Sequence, residues 1–88
     1  KMPKIKLYKT PVCPYCVRAI ALLKQKGVME NVEQIDITTN PEFREEMLKK
    51  SGGMKSVPQI FIDDKHIGGC DDLYALNTAG KLDELLKA

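Results

Sequence analysis

The chain has 88 residues, of which 43% are hydrophobic and 30% charged, and its formal net charge is +2. This length holds one hydrophobic core and predicts a single domain over residues 1–88, and the composition excludes a disordered chain. No apolar stretch approaches the roughly 20 residues that cross a bilayer, no signal-peptide pattern opens the chain, and the interspersed charges indicate no nucleic-acid-binding face. We therefore expect a soluble, cytoplasmic protein without a nucleic-acid or membrane partner.

The first half of the chain predicts a β-α-β unit. Residues 4–9 alternate apolar and charged side chains, which is typical of a strand. Residues 14–26 follow with a helical pattern, and Gly27 is placed to end that helix. Residues 32–37 are a second strand candidate, and one helix between two short strands indicates a right-handed crossover with parallel strands.

The second half predicts a helix over residues 41–50, a hairpin of strands 59–63 and 66–69, and a short amphipathic helix over residues 81–87. Between the hairpin and the last helix, Asp71 or Asp72 is expected to cap a further helix that ends near residue 79. The resulting order, βαβαββα plus a short C-terminal helix, predicts an α/β fold. Its four-stranded mixed sheet is flanked by helices on both faces.

Two cysteines, Cys13 and Cys16, lie at the junction between the first strand and the first helix. If Cys13 caps the helix and Pro14 is its first residue, the Cys13 sulfur faces unpaired N–H groups of the first turn. Those donors favour a thiolate at Cys13, whereas Cys16, one turn further on the apolar face, should be shielded. This asymmetry suits thiol–disulfide exchange, and the C-x-x-C spacing in a β-α-β unit is typical of a thioredoxin-like redox domain.

A metal site is the alternative interpretation of the same cysteines. A structural zinc ion needs four ligands, and Cys70 and His66 could complete a set with Cys13 and Cys16. The intervening Pro-Tyr pair is a poor zinc knuckle, and His66 and Cys70 flank two glycines instead of forming a tight ligand loop. We therefore expect redox chemistry and no metal, and we keep an iron–sulfur or zinc binding module as the alternative.

Two further segments each allow two interpretations. Pro58 either begins a strand or follows a cis bond that turns the Val57 N–H and C=O outward, where they could pair with an extended peptide. Residues 68–72 either end the hairpin and cap a helix or form a binding site. In that site the helix N–H groups would bind a carboxylate and an aspartate would bind an ammonium group. Cys70 in this segment is expected to be a small buried apolar residue.

Three single residues lie near these segments. Tyr15, between the cysteines, could pack its ring against a substrate. Lys9 could lower the pKa of Cys13 if its side chain lies on the cysteine side. His66 is expected at the surface or beside a turn.

With Cys13-Pro14-Tyr15-Cys16, Ser56-Val57-Pro58-Gln59-Ile60-Phe61-Ile62 and Ile67-Gly68-Gly69-Cys70-Asp71-Asp72-Leu73, the chain resembles a small bacterial dithiol glutaredoxin over essentially its whole length. The resemblance implies a thioredoxin fold, a cis bond before Pro58, and glutathione as co-substrate with no tightly bound cofactor. It also implies that Cys13 is the nucleophile and Cys16 the resolving thiol. The implied substrates are protein disulfides and glutathionylated proteins, and the protein is expected to be a monomer. The implied glutathione-binding residues are Lys9, Tyr15, Val57, Pro58, Gly69, Cys70, Asp71 and Asp72.

The chain departs from the family pattern at two positions. Thr10 stands where the family usually has a basic residue, three positions before the first cysteine, and Lys9 comes one residue earlier. A shift of one residue on an extended segment reverses the direction of the side chain, which sets Lys9 apart from the other predicted binding residues. Ser56 replaces a common threonine, which is a mild change. A thioredoxin-type reductase is disfavoured because the chain has no tryptophan.

Overall fold

The computed structural model describes residues 2–87. Over this range the strands are β1 (Ile5–Lys9), β2 (Val32–Asp36), β3 (Gln59–Ile62) and β4 (Lys65–Gly68). The α-helices are α1 (Pro14–Gln25), α2 (Pro41–Lys50), α3 (Cys70–Thr78) and α4 (Lys81–Leu86). These elements follow the predicted order, with most boundaries within two residues. A short 3-10 helix, Met29–Asn31, which was not predicted, lies between α1 and β2.

The strands form one mixed sheet in the order β2-β1-β3-β4. β1 pairs in parallel with β2 and antiparallel with β3, so that Ile5 lies between Val32 and Ile62. The β1-α1-β2 crossover is therefore the predicted parallel unit. All residues of β3 are buried, as expected for a strand covered on both faces.

Successive residues of β1 pack into different clusters on the two faces of the sheet. Leu7 belongs to the cluster that contains Leu23 of α1, Leu73 of α3 and Leu82 of α4. Tyr8 belongs to the other cluster, which contains Ile35, Ile37, Met47 of α2 and Phe61. Because side chains alternate along a strand, this single strand separates the two halves of the core.

The helix ends show which local signals were decisive. The Asn40 side chain accepts a hydrogen bond from the Glu42 N–H at 2.9 Å, as the predicted cap of α2. Gly27 follows α1 with a φ of 75°, the left-handed conformation that glycine adopts without cost. Among the described residues, no helix combines the length and the apolar character needed to cross a bilayer.

The predicted start of α3 was wrong by two or three residues. The helix begins at Cys70 with Gly69 as its cap, and neither Asp71 nor Asp72 occupies the cap position. The Asp72 carboxylate instead reaches back to accept the Gly69 N–H at 3.0 Å. Asp72 therefore supplies the third-residue half of a capping box, and glycine has no side chain to supply the other half.

Candidate active site

The disulfide between Cys13 and Cys16 lies at the N-terminus of α1. Cys13 is the helix cap with an extended backbone, and Pro14 is the first helical residue, as predicted. The Cys13 Sγ accepts a hydrogen bond from the Cys16 N–H at 3.1 Å. The sulfur therefore occupies the place of a capping oxygen, at the positive end of the helix dipole.

The two sulfurs differ in accessibility. Cys13 is partly exposed, whereas Cys16 is 2% exposed and lies on the buried face of α1 with Ala19 and Leu23. Exchange requires that an attacking thiolate reach a disulfide sulfur. A partner in solution can therefore approach Cys13, and Cys16 is restricted to reactions within the chain.

The segment before β3 lies beside the accessible sulfur. The Val57-Pro58 bond is cis, as the resemblance implied, and the Val57 carbonyl oxygen is 3.9 Å from the Cys13 Sγ. Across residues 2–87, neither the N–H nor the C=O of Val57 has a backbone hydrogen-bond partner. These two groups are free to pair with an extended ligand next to the sulfur.

A groove connects this segment with the start of α3. Seven of the eight predicted glutathione-binding residues line this groove: Tyr15, Val57, Pro58, Gly69, Cys70, Asp71 and Asp72. Met54, Ser56 and Gln59 complete the lining. Gln59 could have been singled out from the sequence, because it is a polar residue at the start of an otherwise apolar strand. Met54 carries no comparable signal.

Lys9 is the predicted binding residue that does not line the groove. Its Nζ donates a hydrogen bond to Gln34 Oε1 at 2.8 Å, and Gln34 belongs to β2. The groove lies beside the start of β3, and β3 flanks β1 on the side opposite to β2. The amine therefore extends away from the groove, and its role in glutathione binding stays a prediction.

The start of α3 is shaped by a glycine pair. Gly68 has a φ of 119°, and a Cβ at this position would collide with the Asp72 carboxylate. Glycine is therefore needed for Asp72 to reach the Gly69 N–H. Asp71 is exposed in the same turn, and the first N–H groups of a helix have no acceptor within it. Negative side chains and unpaired donors thus lie together at this end of the groove.

Cys70 differs from the other cysteines in being a free, buried thiol, 4% exposed. Burial raises the pKa of the Cys70 thiol, and the positive charge of Arg18 opposes that effect only in part. Cys70 is therefore kept protonated, which agrees with the prediction of a small buried residue.

Tyr15 is 55% exposed, and its ring contacts a cation on its own helix. The Arg18 guanidinium lies 5.7 Å from the Tyr15 ring centroid and 5.5 Å from that of Tyr74 on α3. The Tyr74 hydroxyl donates to the Arg18 carbonyl oxygen at 2.9 Å. The two contacts join α1 to α3 and orient Tyr15 beside the groove.

His66 lies near the turn at Asp63 and Asp64, which agrees with the second of its two expected placements. It is partly buried in β4, and its Nε2 lies 2.7 Å from Gln59 Oε1. Across residues 2–87, no three His, Cys, Asp or Glu side chains are arranged to hold a metal ion.

The family model for glutaredoxin matches residues 5–67 of the chain. The chain belongs to the glutaredoxin family. It is 55% identical to Glutaredoxin 3 of Escherichia coli (strain K12), covering 98% of this chain and 100% of that protein. The solution structure of glutaredoxin from Brucella melitensis is 52% identical, with a TM-score of 0.82, covering 98% of this chain and 90% of that one. The crystal structure of the buckwheat glutaredoxin–glutathione complex is 29% identical, with a TM-score of 0.84, covering 96% of this chain and 76% of that one.

This glutaredoxin is a glutathione-dependent thiol–disulfide oxidoreductase with a C-x-x-C active site. It acts on disulfides and on glutathione mixed disulfides, and the family uses glutathione as a substrate. The predicted thioredoxin-like fold is confirmed by the solved glutaredoxin structures. The same comparisons favour the enzyme over an iron–sulfur or zinc binding module.

Proposed function

We propose that Cys13 is the nucleophile of this glutaredoxin and Cys16 its resolving thiol. The observation that carries the assignment is the hydrogen bond from the Cys16 N–H to the Cys13 Sγ at 3.1 Å, on a sulfur that is partly exposed. After reduction, the same donor and the helix dipole stabilise a thiolate at Cys13. Cys16 is shielded from solvent and stays protonated until Cys13 carries a mixed disulfide.

Reduction of a glutathionylated protein then proceeds in two exchanges. The Cys13 thiolate attacks the glutathione sulfur, the protein–glutathione S–S bond breaks, and the protein thiolate leaves and takes up a proton. A second glutathione thiolate attacks the glutathione sulfur bound to Cys13, which releases oxidised glutathione and restores the Cys13 thiolate. One glutathione thiol is thus consumed for each protein thiol released, and the other half of the oxidised glutathione comes from the substrate.

A protein disulfide requires the second cysteine. The Cys13 thiolate first forms a mixed disulfide with the protein, and Cys16 then loses its proton and attacks the Cys13 sulfur. The second protein thiolate leaves, and a Cys13–Cys16 disulfide remains, which two glutathione molecules reduce in turn. Potentials of this class, about −200 to −230 mV, are close to that of glutathione, so the last step is feasible.

We infer that glutathione binds in the groove beside Cys13. Its cysteinyl backbone would pair with the free N–H and C=O of Val57. The Val57 carbonyl oxygen lies 3.9 Å from the Cys13 Sγ. One terminal carboxylate would bind the N–H groups that begin α3, and Asp71 and Asp72 would bind the ammonium group. Tyr15 would pack against the ligand. The lining of the groove by these residues supports the assignment, as does the buckwheat glutaredoxin–glutathione complex.

The remaining proposals concern the setting of the enzyme. We propose a single domain over residues 1–88 that acts as a monomer in the cytoplasm, with protein disulfides and glutathionylated proteins as substrates and no tightly bound cofactor. A reducing compartment suits a chain in which the third cysteine, Cys70, is a buried free thiol.

The test compares two serine variants on two substrates. Cys13→Ser should abolish both reactions, because the attacking sulfur is gone. Cys16→Ser should lose protein-disulfide reduction yet keep reduction of a glutathionylated peptide. Ala21→Ser, on the exposed part of the same helix, controls for a new hydroxyl in α1 and should leave both rates unchanged. Equal inactivity of Cys16→Ser on both substrates, in a folded protein, would overturn the assignment of roles.

A further inference from the structure

Gln59, the first residue of β3, has a polar side chain that is 1% exposed. Its Nε2 donates a hydrogen bond to the Ser56 carbonyl oxygen at 3.0 Å and lies 3.4 Å from the Ser56 hydroxyl. Its Oε1 lies 2.7 Å from His66 Nε2. Both ends of this buried amide are therefore engaged, one by β4 and the other by the segment that lines the groove.

The direction of these hydrogen bonds follows from the chemistry of the amide. The amide nitrogen donates to Ser56, so the amide oxygen faces His66 and accepts. The imidazole Nε2 must therefore carry a proton. The result is a chain of hydrogen bonds in which His66 donates to Gln59 and Gln59 donates to the carbonyl oxygen of Ser56, the residue directly before Val57.

An irregularity in β4 places His66 on this face of the sheet. Ile60 pairs with Gly68, but Phe61 pairs with His66, so that Ile67 has no residue opposite it. Ile67 packs against the cluster on the opposite face, while the His66 ring lies 5.0 Å from the Phe61 ring. Without the extra residue the two side chains would exchange faces, and the imidazole could not reach Gln59.

We propose that His66 is a positioning residue for glutathione exchange: it orients the buried Gln59 amide, which holds Ser56 and thereby sets the Val57 backbone groups that receive the tripeptide. This rests on the proposed function, because the position of Val57 affects activity only if glutathione binds there. His66 does not itself line the groove, and it contacts the lining through the Gln59 amide. Its effect should therefore appear in glutathione binding and leave the chemistry at Cys13 unaltered.

The experiment replaces His66 with a side chain that lacks a donor and with one that supplies a donor. His66→Leu removes the hydrogen bond to Gln59, and His66→Gln returns an amide N–H on a side chain of sufficient length. The KM and kcat for a glutathionylated peptide are measured for each variant, together with the Val57 amide resonance and the midpoint of thermal unfolding. Lys65→Leu, at an exposed position of the same strand, is the matched control.

The expected result is a KM about fivefold higher in His66→Leu, the size of effect of one hydrogen bond to a buried neutral group, with kcat within twofold of the unsubstituted protein. His66→Gln should recover most of the loss in KM and restore the Val57 resonance. In a Gln59→Met background, His66→Leu should have little further effect, because the connecting amide is already absent.

Three outcomes would overturn the proposal. The first is an unchanged KM in folded His66→Leu, the second an equal loss in His66→Leu and His66→Gln, and the third full additivity with Gln59→Met. If His66→Leu does not fold, His66→Met provides the same comparison. Failure of the proposed function is recognised separately, since the unsubstituted protein would then show no saturable turnover of the glutathionylated peptide.

Discussion

The hydroxyl of Tyr8, in the buried centre of the sheet, donates a hydrogen bond to the Glu46 carboxylate of α2. Burial is the main reason that the pKa of the Tyr8 phenol is held well above its ordinary range, and the hydrogen bond to Glu46 raises it further. The contact joins α2 to the sheet, because Tyr8 belongs to β1 and Glu46 to α2. Tyr8 also packs edge-on against Phe61 of β3, with ring centroids 5.7 Å apart.

Stability should therefore fall above about pH 10, where a tyrosine of the unfolded chain ionises. Folded Tyr8 keeps its proton, so unfolding releases it, and the free energy of unfolding decreases as pH rises. Denaturant unfolding between pH 7 and pH 11 measures this slope. Tyr8→Phe should lose about 1 kcal/mol at pH 7 and show a shallower slope than the unsubstituted protein. Identical slopes in the protein and in Tyr8→Phe would contradict the assignment.

Gly68→Ala should damage both the fold and glutathione binding. The added Cβ meets the Asp72 carboxylate at a backbone φ of 119°, so the Gly69 N–H loses its acceptor and the start of α3 shifts. Gly27→Ala is the control, because its φ is 75° but nothing lies within 4 Å of the added Cβ. We expect a loss of about 1–2 kcal/mol for Gly27→Ala from backbone strain alone, with an unchanged KM for the glutathionylated peptide.

A larger loss is expected for Gly68→Ala, together with a raised KM. Unfolding free energies and steady-state kinetics on the two variants give both numbers. Equal losses of stability in the two variants would mean that the collision with Asp72 is relieved at no cost.

Arg18→Met should weaken glutathione binding through Tyr15. The guanidinium contacts the Tyr15 and Tyr74 rings at 5.7 and 5.5 Å, and a cation–π contact at an exposed site is worth about 0.5–1 kcal/mol. The expected KM is therefore roughly two- to fivefold higher. Arg44→Met removes the same charge from an exposed position on α2, and an equal rise in that variant would point to net charge as the cause.

Cys70 should be slow to react with alkylating agents. Because burial raises the pKa of this thiol, less thiolate is present at any given pH than in an unstructured peptide. A Cys13→Ser/Cys16→Ser protein leaves Cys70 as its single thiol, and its iodoacetamide labelling rate is measured from pH 7 to pH 9. Labelling should become fast in denaturant; a folded-state rate equal to that of a cysteine peptide would show that the thiol is accessible.

Features set by a few neighbouring residues could be predicted from the sequence. Cys13 with Pro14, and Asn40 with Pro41, identify the starts of α1 and α2 because a cap and its first turn are local. The start of α3 was misplaced because Gly69 has no side chain to mark it as a cap, and Asp72 acts from inside the helix. Local patterns predict caps well only where the cap itself carries the hydrogen-bonding group.

Features that depend on pairing between strands could not be predicted. The face on which His66 lies is set by the one extra residue in β4, and nothing within residues 65–68 identifies it. The position of the Lys9 amine depends likewise on the neighbouring strand, where Gln34 accepts its hydrogen bond. The resemblance to glutaredoxins supplied the cis bond before Pro58 and most of the groove lining, which short-range patterns alone left open.

The antiparallel direction of β3 brings the end of β1, the start of β3 and the end of β4 to the same edge of the sheet. The turn at Asp63 and Asp64 therefore lies at the opposite end of the sheet. The length of β3, about 13 Å, separates this turn from Val57 and Pro58. That turn should accept an inserted peptide tag or reporter without loss of turnover. It offers a place to attach this glutaredoxin to a surface, or to a second protein, with the reactive sulfur left facing solution.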